Sequence, residues 1–115
     1  MKVVVTGGAG FIGANLCRAL AASDRVTEVV ALDDLSTGHR ANLAGVEATL
    51  VEGSILDRDV LDATFDGASA VVHLAARPSV PRSIADPMAS HHANATGTLE
   101  VLEAARRAGG PQLAH

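Results

Sequence analysis

The sequence VVVTGGAGFIG, residues 3–13, decides the fold. It opens with a short apolar run typical of a buried parallel strand, and glycines follow at three spaced positions. Gly7 suits a tight turn, Gly10 lets a ligand approach the backbone closely, and Gly13 lets the next helix pack on the strand. That helix, predicted to begin near Phe11, would direct unpaired N–H groups towards an anion. The pattern therefore predicts a strand, a phosphate-binding turn and a helix.

Two other interpretations of these glycines exist. Gly8 and Gly13 have the spacing of a P-loop, but Ala14 and Asn15 follow where Lys and then Ser or Thr are required. This excludes an ATPase site of that type. An ordinary glycine-rich turn fits the spacing alone equally well, so the choice depends on what surrounds the turn.

A pair of acidic residues ends the second predicted strand. Residues 28–32 form another apolar run, and Asp33 and Asp34 follow it. A carboxylate at this end of a second parallel strand can accept hydrogen bonds from adenosine ribose hydroxyls and repels a 2′-phosphate. With the glycine turn, it predicts a dinucleotide site that prefers NAD to NADP. The alternative, stronger for Asp34 than for Asp33, is a solvated strand end before the turn that contains Ser36.

The rest of the chain alternates predicted strands and helices. Further strands are predicted at residues 48–52 and 70–74, with a short helix capped by Asp57 and a long one over residues 87–108. A Rossmann-like α/β fold follows, with a doubly wound parallel sheet in the order 3-2-1-4, truncated after about four strands. The apolar residues predicted to share one helical face are Ile12, Leu16 and Leu20 on the first helix and Ala95, Leu99 and Leu102 on the last.

The composition is that of one small globular unit. The 115 residues are 48% apolar and 19% charged, enough for one core. A net charge of −4 with scattered arginines disfavours binding to nucleic acid or to an acidic membrane, and the apolar runs are too short to span one. Cys17, the single cysteine, is predicted to pack in the core and fits a reducing cytoplasm. The histidines are dispersed, and His91 and His92 project about 100° apart on a helix, so no metal site is predicted.

Four motifs together resemble the extended short-chain dehydrogenase/reductases, and specifically their NAD-dependent sugar-nucleotide epimerase/dehydratase family. They are TGGAGFIG at 6–13, DDLSTG at 33–38, HLAA at 73–76 and NATGT at 94–98. The segment SVPRS at 79–83, followed by Asp86 and Pro87, is similar to the UDP-hexose 4-epimerases of the family. Dehydratases and decarboxylases share most of the same opening.

The resemblance implies where NAD would bind. The glycine turn would wrap the pyrophosphate and Asp33 would hold the adenosine ribose. Ser54, where the family often carries Asp, and Ile55 would reach the adenine. Residues 74–75 would pass close to the cofactor, and Asn94 would face the nicotinamide side. The candidate cofactor-binding residues are Gly7, Gly10, Phe11, Ile12, Gly13, Asp33, Asp34, Ser36, Ser54, Ile55, Leu74, Ala75 and Asn94.

The catalytic pair of the family has no counterpart in this chain. The resemblance implies hydride transfer between a sugar carbon and NAD, with a Tyr whose pKa is lowered by a Lys four residues later, assisted by a Ser or Thr. The sequence contains no Tyr, and its only lysine is Lys2. We therefore expect residues 1–115 to be the N-terminal part of an NAD(P)-binding Rossmann domain, without the Tyr/Lys segment or the sugar-binding domain. No catalytic residue is predicted.

Two functions follow as hypotheses. One is the NAD-binding portion of a UDP-hexose 4-epimerase-like enzyme, inactive alone, which would meet a nucleotide-sugar only in the complete enzyme. The other is a non-catalytic NAD-binding sensor or interaction module. A small-ketone reductase is disfavoured by Asp33 and Asp34, because many such enzymes use NADP. The strand at residues 70–74 is predicted to be an open apolar edge, which a second copy or another chain could cover.

Overall fold

Residues 1–36, 38–75 and 87–114 are described by a computed structural model of the protein, with side chains described everywhere except in residues 87–96. The strands are β1 (Lys2–Thr6), β2 (Glu28–Asp33), β3 (Thr49–Glu52), β4 (Ala70–His73) and β5 (Gln112–Ala114). The α-helices are α1 (Phe11–Ala21), α2 (Arg58–Phe65) and α3 (Pro87–Arg107), and a 3-10 helix spans Arg40–Leu43.

The described strands form one parallel sheet in the order β3-β2-β1-β4-β5. β1 lies at its centre, where Val4 is in register with Val30 of β2 and Val71 of β4. Central strands of a parallel sheet are covered on both faces, which is why these runs are almost wholly apolar. The predicted Rossmann-like fold and the predicted order of the first four strands are confirmed.

The prediction of an open edge at residues 70–74 is wrong. β5 pairs with β4, and Val71 lies in register with Leu113. The chain returns to the sheet through Gly109 and Gly110, whose φ angles of 100° and 76° lie in the left-handed region that glycine adopts readily. Three residues are too few to show a periodic pattern, so this short strand has little signal in the sequence.

Two apolar clusters lie on opposite faces of the sheet. Alternate residues of β1 divide between them, with Val4 on the side of α2 and α3, and Val3 and Val5 on the side of α1. Phe65 and Leu61 of α2 are fully buried in the first cluster. Asp57 caps α2, as predicted, by accepting hydrogen bonds from the N–H groups of the second and third residues that follow it. The core thus holds the carboxyl ends of the strands in fixed register.

The buried face of α1 differs from the predicted one. Ile12 is 73% exposed, whereas Ala14 and Cys17 are buried against the sheet. Leu16 and Leu20 only flank the cluster as partly buried residues. Small side chains occupy the contact line because the helix lies very close to the strands. The core position predicted for Cys17 is confirmed.

The buried face of the long helix α3 also differs from the predicted one. Leu99 and Leu102 are 58% and 42% exposed, and the side chain of Ala95 lies outside the described residues. A cluster of smaller residues packs on the sheet instead. The buried residues of the described part of α3 that belong to this cluster are Val101, Ala104 and Ala105. None of the described helices is both long and apolar enough to cross a membrane.

Candidate functional site

The turn after β1 is closed by contacts that leave no room for side chains at two of its three motif glycines. Gly7 has a φ of 72°, and a Cβ there would lie 2.9 Å from the backbone nitrogen of Ala75. A Cβ at Gly13 would lie 2.8 Å from the Cα of Gly8 and closer still to the carbonyl oxygen of Gly7. At Gly10 the nearest atom would be 3.4 Å away. Gly7 and Gly13 therefore shape the turn, and Gly10 is the least crowded of the three.

The first turn of α1, next to Gly10, presents amides that no intrahelical bond uses. Gly10 is the N-cap and has no side chain to satisfy them. The N–H of Ala14 donates to the Gly10 carbonyl at 2.9 Å, so the N–H groups of Phe11, Ile12 and Gly13 precede the first intrahelical bond. Such a helix start suits an anion without any lysine or arginine. The Phe11 and Ile12 side chains are 79% and 73% exposed at this helix start.

Asp33 ends β2 and faces the glycine turn. The residue is only 8% exposed, and its Oδ2 accepts a hydrogen bond from the Ala9 N–H at 2.9 Å. Oδ1 accepts from the Leu35 N–H at 2.8 Å. A carboxylate offers about four acceptor positions, so two remain for ribose hydroxyls. The structure therefore brings together the two halves of the predicted site, the turn and the acidic residue.

The other two candidates in this loop lie towards solvent. Asp34 and Ser36 are exposed, and Oδ1 of Asp34 accepts from the Ser36 N–H at 2.9 Å. Leu35 between them has a φ of 63°, a left-handed conformation that costs a leucine on the order of 1 kcal/mol. Asp34 is thus exposed, whereas Asp33 is buried.

Ser54 and Ile55 follow β3 at the same edge of the sheet. The N–H of Gly53 donates to the Asp33 carbonyl at 3.0 Å, which places this loop beside the acidic residue. The Ser54 hydroxyl accepts from the Leu56 N–H at 3.0 Å and keeps its own proton available to a ligand. Ile55 packs against α3, where a Cβ at Gly97 would come within 2.6 Å of its side chain.

Leu74 and Ala75 follow β4 and are fixed by Thr6, a residue that sequence reasoning missed. The Thr6 hydroxyl oxygen accepts hydrogen bonds from the N–H groups of Leu74 and Ala75, at 3.0 and 3.2 Å. These bonds hold the end of β4 against Gly7. The available signal was positional, since Thr6 and His73 end neighbouring parallel strands.

Two side-chain hydrogen bonds through His73 connect Thr6 to α3, and the first of them is buried. Thr6 Oγ1 lies 2.7 Å from Nδ1 of His73, and Nε2 of His73 lies 3.2 Å from Oγ1 of Thr98. Because the Thr6 oxygen already accepts two N–H bonds, its hydroxyl proton is directed at Nδ1, which leaves the Nε2–H of His73 to donate to Thr98. His73 thus serves as a bridge between two strands and a helix.

One candidate lies outside what the structure describes. The side chain of Asn94 belongs to the part of α3 whose side chains are not described, and residues 76–86, with the segment similar to UDP-hexose 4-epimerases, are also outside the described residues. Within the described part of the chain, no three His, Cys, Asp or Glu side chains are grouped to hold a metal ion.

Comparison with known proteins identifies related sequences. The model of the NAD dependent epimerase/dehydratase family matches residues 3–115. A dTDP-glucose 4,6-dehydratase from Mycolicibacterium smegmatis is 41% identical over 110 residues, covering 93% of this chain and 33% of the relative. The chain spans about a third of the length of most of the first curated relatives it matches, which include both dehydratases and UDP-glucose 4-epimerases.

Solved structures show the same likeness. A dTDP-glucose 4,6-dehydratase from Streptomyces venezuelae, crystallised with NAD, superposes with a TM-score of 0.89 at 40% identity over 100% of this chain and 38% of its own. A UDP-glucose 4-epimerase from Thermus thermophilus, in complex with NAD, superposes with a TM-score of 0.84 at 36% identity over 98% of this chain and 36% of its own. NAD is named for both proteins and in the family description.

Proposed function

The chain belongs to the NAD-dependent epimerase/dehydratase family, and from that premise we propose that it forms the NAD-binding portion of a sugar-nucleotide epimerase or dehydratase. Residues 1–115 would be the N-terminal part of the Rossmann domain. The observation that carries this proposal is the bond from Ala9 to Asp33, which joins the glycine turn to the acidic end of β2. Phosphate and ribose can then be bound by one rigid unit.

The pyrophosphate and the adenosine ribose would each meet a matching group among the described residues. The amides at the start of α1 would bind the pyrophosphate, with Gly10 giving it close approach. Asp33 would hold the adenosine ribose and would repel a 2′-phosphate, which favours NAD over NADP. The remaining proposed contacts are those predicted from the sequence: Gly7, Gly13, Asp34, Ser36, Ser54, Ile55, Leu74, Ala75 and Asn94.

NAD supplies a hydride acceptor and donor when it is bound. The described residues of this chain bind and orient it, and they offer no proton-transfer pair of the family type. The sequence has no Tyr, and the Nζ of Lys2 donates to the Asp66 carbonyl at 2.8 Å. Lys2 starts β1, about 13 Å along the strand from Thr6 at its end. We therefore expect NAD binding without turnover by residues 1–115, and a nucleotide-sugar substrate only in a complete enzyme.

The finer assignment rests on the sequence segment at residues 79–83. It favours a UDP-hexose 4-epimerase, whereas the relatives include dehydratases as well. A second candidate is a non-catalytic NAD-binding sensor or interaction module, which would need only the NAD-binding contacts proposed above. Both candidates share the NAD-binding step and a predicted cytoplasmic location.

Calorimetric titration with NAD and with NADP tests the shared step. We expect NAD to bind and NADP to bind more weakly, because the 2′-phosphate would approach the Asp33 carboxylate. Asp33→Ala should weaken NAD binding by about 1–3 kcal/mol through the loss of charge-assisted hydrogen bonds. It should also reduce the difference in affinity between NAD and NADP.

Asp24→Ala is the charge-matched control, because Asp24 is exposed in the turn before β2. It should leave both affinities unchanged. Failure of the wild-type chain to bind millimolar NAD would contradict both candidate functions. If NAD binds and Asp33→Ala has the affinity of the wild type, the adenosine ribose lies elsewhere.

A further inference from the structure

Ala9, in the middle of the glycine turn, has both sides of its backbone fully hydrogen-bonded. It is completely buried, and its N–H donates to Asp33. Its carbonyl oxygen accepts from the His39 N–H at 3.0 Å and from the side-chain amide of Asn42 at 2.8 Å. A carbonyl oxygen has two lone pairs, so its acceptor capacity is filled.

The residues that reach Ala9 come from the segment between β2 and β3. Asn42 lies in the 3-10 helix, 33 residues along the chain from Ala9, and Leu43 next to it is buried in the cluster under α1. Gly38 makes the approach possible, because a Cβ there would lie 2.8 Å from the carbonyl carbon of Ala9 and from Oδ2 of Asp33. This segment is therefore packed on the glycine turn and not merely connected to it.

We propose that Asn42 is a positioning residue for the pyrophosphate of NAD, an inference that rests on the proposed function. The peptide between Ala9 and Gly10 has two ends: the carbonyl points at Asn42, and the Gly10 N–H donates to the Gly7 carbonyl at 3.2 Å. Gly10 has no Cβ to restrict rotation of this peptide. A rotated peptide would present its carbonyl oxygen to the phosphates and misalign the amides of Phe11 and Ile12. The Asn42 amide, together with the His39 N–H on the same carbonyl oxygen, opposes that rotation.

The chemistry of the side chain matters more than its size. The Ala9 carbonyl accepts a second hydrogen bond besides the one from the His39 N–H, and Asn42 donates it without adding charge beside the Asp33 carboxylate. Asn42→Asp would place an acceptor against the carbonyl and a second negative charge near Asp33, so it should be worse than Asn42→Ala. Asn42→Gln keeps the donor on a longer side chain and should restore part of the function.

The test compares ligands with and without a pyrophosphate. NAD affinity is measured by calorimetry and adenosine affinity by NMR titration. For Asn42→Ala we expect NAD to bind about tenfold more weakly and adenosine to bind within twofold of the wild type. Asn42→Asp should lose more NAD affinity than Asn42→Ala, and Asn42→Gln should lose less. Asn15→Ala is the matched control, because the Asn15 side chain is exposed on α1 and accepts from Arg18, not from the turn. It should behave as the wild type.

A second measurement needs no ligand. Hydrogen exchange of the Ala9 and Gly10 amides should be accelerated in Asn42→Ala, while the amides of β1 keep the wild-type rate. Equal losses for NAD and adenosine, or unchanged NAD affinity in Asn42→Ala, would overturn the inference. A wild-type chain that does not bind NAD would instead overturn the proposed function, and the exchange rates would still show whether Asn42 holds the turn.

Discussion

The glycines of the turn after β1 and those of the outer turns differ in what surrounds them. A Cβ at Gly8 would come within 2.6 Å of the Ala31 side chain, and one at Gly13 would strike the backbone of the same turn. At Gly45 and Gly67, with φ angles of 76° and 75°, a Cβ would meet nothing within 4 Å. The outer turns need glycine for its conformation alone. At Gly8 and Gly13 in the turn after β1, glycine is needed for space, because strand, helix and loop backbones meet there.

Gly13→Ala should have the largest effect on stability. The new methyl group would overlap the Gly7 carbonyl, which is backbone held between two strands, so α1 would have to move off the sheet. We expect a loss of about 3 kcal/mol in the free energy of unfolding, at the upper end for an overpacked core. Urea denaturation measures it, with Ala19→Gly on the exposed face of α1 as the control for glycine-to-alanine propensity. A loss below about 1 kcal/mol would mean that the turn relaxes easily.

Close packing of this kind also explains which parts of the fold can be predicted from the sequence. Strand positions and the order of the first four strands are predictable, since the apolar runs and the glycine turn are strong local signals. The buried helix faces are not. Leucines at helical spacing predict a core face, yet Ala14 and Cys17 of α1 occupy it, because close packing selects small side chains over more hydrophobic ones.

The residues of the candidate site could also be predicted only in part from the sequence. Gly7 to Gly13 and Asp33 form a motif, and the structure brings them together. Thr6 and Asn42 do not belong to any local pattern, because their partners lie 67 or more and 33 residues away along the chain. Contacts of this kind depend on the tertiary fold. They are visible only once strand ends and loops are placed beside each other.

Cys17 provides a second test of the close packing that Gly13 allows. Burial raises the pKa of the Cys17 thiol from 9.0 to about 11. Between these values the unfolded thiol is ionised and the folded one is not, so the free energy of unfolding should fall as the pH rises through this window. The expected loss is about 3 kcal/mol once the pH has passed the folded pKa, and well below pH 9 this group contributes no pH dependence.

Urea denaturation of the wild type and of Cys17→Ala from about pH 8 to about pH 11 isolates this contribution. The variant should show a shallower decline above the unfolded pKa, since it has no thiol to ionise. Parallel curves would show that the thiol ionises as readily in the folded chain as in the unfolded one. In Gly13→Ala, a displaced helix should also make Cys17 react faster with a thiol reagent.

Gly67→Ala should lower the free energy of unfolding less than Gly13→Ala does, and only through the backbone conformation. The added methyl group has open space, but a left-handed alanine costs about 1 kcal/mol. Urea denaturation should show that loss, and calorimetry should show wild-type NAD affinity, because Gly67 lies in the turn before β4, away from the carboxyl ends of the strands. A loss as large as that of Gly13→Ala would remove the distinction between the two kinds of glycine.

Gly10→Ala should change stability least and binding most. Its φ of −73° is accessible to any residue, and the nearest atom to a Cβ would be 3.4 Å away, so we expect the free energy of unfolding to change by less than about 0.5 kcal/mol. The methyl group would, however, occupy the surface over which we propose that the pyrophosphate passes. NAD affinity measured by calorimetry should therefore fall at least about tenfold, as expected where a backbone must approach a pyrophosphate closely. Wild-type affinity in a stable Gly10→Ala chain would place the pyrophosphate away from this turn, and the crowding at Gly7 and Gly13 would then serve packing alone.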